Sequence, residues 1–105
     1  MIYAVTARLI EDRAGEFARR LADGSIKAQE PDGREIVRAM ARARLAPDGT
    51  VRWTETCYCD TPLAHERRTV LDRYFSTIET EPVDAHVDAH AVPGGRTLMD
   101  HLAAG

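Results

Sequence analysis

What narrows this chain most is the order in which its hydropathy changes period. From Met1 to Ile10 apolar residues alternate, with Tyr3, Val5, Ala7 and Leu9 on one side and Thr6 and Arg8 on the other. That is the period of a strand with one buried face. Over 12–23 the spacing turns helical: Ala14, Phe17, Ala18 and Leu21 recur, acidic Glu11 and Asp12 stand at the start, and Gly24 is placed to end the helix. Residues 24–34 carry a Pro-Asp-Gly turn signal and read as a loop. Glu35–Leu45 alternates again, with Val37, Ala39, Ala41, Ala43 and Leu45 opposite Arg38, Met40, Arg42 and Arg44, and is assigned as strand two. An Ala-Pro-Asp-Gly turn joins it to strand three, Val51–Cys59, rich in Thr, Val, Trp and Tyr.

Thr61-Pro62 reads as N-cap and first residue of a second helix, with Leu63, Val70, Leu71, Tyr74, Phe75 and Ile78 as its apolar stripe. Glu81-Pro82 stops it. Val83, Ala85, Val87, Ala89 and Ala91 then alternate as strand four. After Pro93-Gly94-Gly95, Thr97 can cap a tail helix carrying Leu98, Met99 and Leu102. That helix is too short to hold alone and should pack on the body or on a partner. The order β-α-β-β-α-β plus a tail helix predicts an α+β fold of ferredoxin-like type. Its antiparallel sheet would run in the spatial order four, one, three, two, with both helices on one face. The 105 residues suit one domain, with a core over 1–92 and the tail helix over 93–105.

The net charge of −3 argues against a nucleic-acid binder, which needs a basic surface. No apolar run approaches the ~20 residues that span a bilayer, and no basic segment precedes the first apolar stretch, so the expected location is the cytoplasm. Cys57 and Cys59 are too few for a disulfide framework and, at i and i+2 of a strand, poorly placed to bond each other. They are expected as thiols.

Several stretches carry chemistry. The word Val-Asp-Ala-His occurs twice in succession over 83–90. On a helix His86 and His90 would lie one turn apart and could share a metal. On a strand they lie ~13 Å apart, too far for one ion. The strand assignment therefore puts His86, Asp88 and His90 in one polar row and predicts no metal. His65-Glu66-Arg67-Arg68-Thr69 lacks the second histidine of the zinc-protease motif and reads as helix surface. Glu55 stands out: if Trp53, Cys57 and Cys59 face the core, it sits among them and needs a partner or a pocket. Arg38, Arg42 and Arg44 form a basic stripe fit to hold a small anion. RNA recognition on this element order needs aromatics on one sheet face, whereas Trp53 and Tyr58 point to opposite faces.

By element order and length, over nearly the whole chain, the sequence resembles the dimeric α+β barrel superfamily. That superfamily includes antibiotic-biosynthesis-type monooxygenases and muconolactone-isomerase-like enzymes. The resemblance implies a homodimer whose two sheets face each other, with small molecules bound between sheet and helices or in the barrel. It matches no catalytic motif and so assigns no catalytic residue. The expectation is a cytoplasmic homodimer that binds a small anionic molecule and needs no cofactor, with His86, Asp88, His90, Arg38 and Arg42 as ligand-binding residues. As an enzyme it would be a cofactor-independent monooxygenase or isomerase. The alternative is a non-catalytic regulatory or assembly module whose polar sheet face is a subunit interface.

Overall fold

The computed structural model describes residues 1–58, 60–86 and 95–104. Strand β1 (Ile2–Leu9) leads through a 3-10 turn, Glu11–Arg13, into α1 (Ala14–Asp23). A loop then reaches α2 (Gly33–Arg42), followed by β2 (Arg44–Leu45) and β3 (Thr50–Thr56). A third helix spans 64–74, with a π-turn over Arg67–Leu71 between short α segments. Strand β4 (Phe75–Val83), β5 (Arg96–Thr97) and a C-terminal helix (Leu98–Ala104) complete the order. The five strands form one sheet in the order β4-β1-β3-β2-β5, and the neighbouring strands pair antiparallel. This mixed α+β architecture is compatible with a ferredoxin-like arrangement, with a fifth strand added at the β2 edge.

β1 and α1 form where the sequence pattern predicts. Tyr3, Val5, Ala7 and Leu9 are buried, and Gly24 ends α1 in the left-handed region at φ 83°. Three expectations need correction. Glu35–Leu45 is not a strand: residues 33–42 are helical and only Arg44–Leu45 pair in the sheet. Ile36, Ala39, Met40 and Ala43 are all buried, and their i, i+3, i+4, i+7 spacing is a helical stripe. Alternating Ala and Arg satisfies period two as well, but both are good helix formers and only Ile36 and Val37 are β-branched.

The second correction concerns the helix predicted to run from Pro62 toward Glu81. It ends at Tyr74, and Phe75 opens β4, where Thr77, Ile78, Thr80 and Val83 favour a strand. At its other end no Thr61 side-chain cap forms; buried Leu63 precedes the helix in the left-handed region at φ 57°. The third follows from the second. β4 ends at Val83, so the Val-Asp-Ala-His repeat starts at the strand's last residue rather than forming it. Its second half, Val87 to His90, lies outside the described residues, as does Cys59. Pro82 is tolerated because β4 is the sheet's edge.

The sheet's faces divide cleanly. One face, with Tyr3, Val5, Ala7, Val51, Trp53, Glu55 and Phe75, meets the helices. From α1 to the sheet an aromatic chain runs through the core: Phe17 stacks on Tyr74 at 4.4 Å, meets Phe75 edge-on at 5.6 Å, and Phe75 touches Trp53 at 4.9 Å. The C-terminal helix is part of that core through Leu98 and Leu102, and Thr97 Oγ1 accepts the Asp100 N–H as its cap. The other face carries Thr6, Arg8, Arg44, Arg52, Thr54, Thr56, Glu79 and Glu81. Among the described residues no helix is long and apolar enough to cross a membrane.

Candidate functional site

β3 brings its chemistry to both sides of the sheet because its side chains alternate. On the helix side, Glu55 and Glu66 are both fully buried. Glu55 Oε1 accepts the Trp53 Nε1–H at 2.8 Å, and the Cys57 thiol lies 3.7 Å from Glu66 Oε2. Burial raises the Glu55 carboxyl to about 8; the Trp53 donor opposes this, and the charge and hydrogen bond of neighbouring Glu66 add to it, with a smaller repulsion from Glu35. Burial beside a second carboxyl thus favours the protonated form of Glu55, which is fit to give a proton rather than to hold a charge.

Backbone irregularity delivers Glu66 to that position. Leu63 adopts a left-handed conformation that a branched residue reaches only against steric resistance. Immediately after Glu66 the helix widens into the π-turn. Such turns insert a residue and are frequent at functional sites. One residue earlier, His65 Nδ1 is hydrogen-bonded to Asp32 Oδ2, which ties the long loop to this helix. Gly33 closes that loop tightly: a Cβ there would sit 2.2 Å from the Ile26 carbonyl oxygen.

Around β3 stand the residues the sequence singled out. On β3, β2 pairs with Val51 and Arg52 alone, so among the described residues no strand lies beside the outer edge of β3 beyond Arg52. Two side chains of α2 take its place. Arg42 Nη2 donates to the Thr54 carbonyl at 2.8 Å, and Glu35 Oε2 accepts the Thr56 N–H at 2.8 Å. An open strand edge is thus satisfied by an ion pair, Arg42 to Glu35 at 3.5 Å. On the other sheet face His86 bridges the same two residues: Nδ1 lies 2.8 Å from Thr54 Oγ1 and Nε2 3.0 Å from Thr56 Oγ1.

The structure therefore gathers Arg42 and His86 on Thr54. Arg38 stands exposed one helical turn before Arg42. Asp88 and His90 lie outside the described residues. Sequence reasoning flagged Glu55 as a misplaced charge but read Glu66 as helix surface. Its burial depends on Leu63 and the π-turn, which leave no periodic signal. Among the described residues, no three His, Cys, Asp or Glu side chains are grouped to hold a metal ion.

No protein-family model, curated protein or solved structure matches the chain. The functional reading therefore rests on this geometry.

Proposed function

We propose that the chain is a cytoplasmic homodimer of the dimeric α+β barrel type that binds a small anionic molecule between sheet and helices and moves a proton on it without a cofactor. The observation that carries this reading is Glu55, a fully buried carboxyl held to about 8 beside a second buried carboxyl, Glu66. Paired acids in an apolar setting cost stability, and such groups concentrate at sites of proton transfer. Protonation of one ligand atom by neutral Glu55, then loss of a proton from another atom to the carboxylate so formed, is a net isomerisation. Hydrogens are conserved and no oxidant takes part. Arg42 and Arg38 on α2 supply positive charge for an anionic ligand, and His86 meets Arg42 at Thr54 from the opposite sheet face. Because Glu55 has no exposed surface, binding needs a local opening, which this reading puts beside Glu66, where the backbone leaves the regular helix.

The test is exchange of ligand C–H for deuterium. Small carboxylates bearing an enolisable carbonyl are screened by thermal shift, and those that stabilise the protein are incubated with it in D2O. Wild-type protein is expected to catalyse the exchange and Glu55→Gln to slow it about a hundredfold or more. Equal rates in the two proteins, or no exchange with any stabilising compound, would overturn the proton-transfer role. Sedimentation at micromolar concentration is expected to give a dimer, and a monomer would remove the barrel.

One observation favours the alternative, a non-catalytic module assembled through its sheet. The polar face is acidic at the β4 edge, with Glu79 and Glu81, and basic toward β2, with Arg44 and Arg52. A two-fold copy would set opposite signs together. On that reading the dimer forms and no ligand exchange occurs.

A further inference from the structure

Between the start of α1 and the C-terminal helix lies an open cleft of about 300 Å³ that the Glu55 site does not use. Ala14, Leu102 and Ala104 line it with apolar surface, and Gly15 leaves it open, since a Cβ there would meet nothing within 4 Å. Its polar side is a row of three groups. Arg96 Nη2 donates to His101 Nδ1, and His101 Nε2 donates to Glu11 Oε1 at 3.0 Å. Arginine can only donate, so Nδ1 of His101 is bare and Nε2 carries the ring proton. In this tautomer the imidazole is an uncharged spacer. A guanidinium stands at one end of the row and a carboxylate at the other.

The charge pattern selects the ligand. A simple anion on Arg96 would face Glu11, and a simple cation on Glu11 would face Arg96. A molecule carrying both signs satisfies both ends. The row engages one of the five guanidinium N–H donors, and the Glu11 side chain is 62% exposed, so both ends can take further partners. The volume is that of a small-molecule site at the lower end of the usual range. We propose that this cleft binds a small zwitterion of aliphatic amino-acid type, with its carboxylate on Arg96, its ammonium on Glu11, and its side chain against Ala14, Leu102 and Ala104.

The test is a titration followed in amide NMR spectra of the intact protein, with three probes of similar shape: L-leucine, 4-methylpentanoate without the ammonium, and isoamylamine without the carboxylate. L-leucine is expected to shift the Gly15 and Leu102 amides saturably, with a Kd on the order of 1 mM or tighter. Each half-analogue should bind about tenfold or more weakly, and Arg96→Gln and Glu11→Gln should each weaken L-leucine by about tenfold. Gly15→Leu fills the open space and should abolish binding while the remaining spectrum persists. Three results would overturn the proposal: no saturable shift at these residues, 4-methylpentanoate binding as tightly as L-leucine, or undiminished L-leucine binding in either charge variant.

Discussion

Glu16 and Glu55 are the same side chain in opposite surroundings. Glu16, on α1, is gripped by the Arg73 guanidinium through both carboxylate oxygens and accepts the Tyr74 hydroxyl, which in turn accepts from Arg20. The Arg73 and Tyr74 hydrogen bonds hold it down at about 2. Among the described residues no cation is paired with Glu55; its neighbours are an indole and another carboxyl, and burial pushes it up to about 8. A carboxyl compensated from every side ties elements together, here α1 to the 64–74 helix. A carboxyl left to burial and a like neighbour costs stability instead.

The largest effect that would break this contrast is at Glu55. Its folded value is raised, so its contribution is complete below about 4.5, the value in an open chain, and is lost as pH rises toward about 8. A shift of that size corresponds to on the order of 5 kcal/mol, comparable to the whole stability of a small domain. Urea unfolding of wild-type protein should therefore show a steep loss of stability from pH 5 to pH 8. Glu55→Gln, which keeps the shape and the Trp53 hydrogen bond without an ionisable group, should lose most of that slope and be the more stable protein at pH 8. Parallel curves for the two proteins would mean that Glu55 ionises inside the fold as readily as outside.

A smaller effect sharpens the other side. Tyr74→Phe keeps the stack on Phe17 but removes the hydroxyl that joins Arg20 to Glu16. The expected cost is about 1 kcal/mol at pH 7. Carboxyl NMR should show the Glu16 midpoint rising from about 2 yet staying below 4.5, because Arg73 still holds it. Glu16 is a lowered group, so its contribution is present above about 4.5 and lost as pH falls toward 2. The Tyr74→Phe deficit should shrink across that window. A midpoint that does not move would assign the whole shift to Arg73.

The contrast also explains what could be read without coordinates. β1 and α1 were legible because their periods are unambiguous and Gly24 marks an end. α2 was not, because alternating Ala and Arg fits both periods, and the deciding stripe of Ile36, Ala39, Met40 and Ala43 overlaps the false one. The β4 boundary was hidden because Tyr74, Phe75 and Ile78 also fit a helical face. At the candidate site, Glu55 announced itself as a charge among apolar neighbours on a strand. Glu66 did not, because what carries it inward is the strained Leu63 before it and the π-turn after it. Alternation with alanine marks Arg42 as an anion binder. It sits at the site for another reason, as the donor that closes the β3 edge.

The smallest effect concerns a third acidic group, exposed where Glu16 is half-buried. Asp72 Oδ1 accepts the Arg67 Nε–H at 3.0 Å, five residues apart across the π-turn, with both side chains about half exposed. Five residues bring two side chains to one side of a π-turn, whereas in a regular α-helix they diverge. The pair thus reports the turn's geometry without holding it. Exposed pairs of this kind contribute little and are screened by salt, so Asp72→Asn should change stability by less than about 0.5 kcal/mol and by nothing measurable in 1 M NaCl. Chemical denaturation with urea, which carries no charge, measures both conditions. A loss of 2 kcal/mol or so, well outside that range, would make the ion pair the cause of the π-turn, and through it of Glu66's burial. A negligible loss leaves the turn to the packing of Val70, Leu71 and Tyr74, and keeps the acid pair a property of the core rather than of the surface.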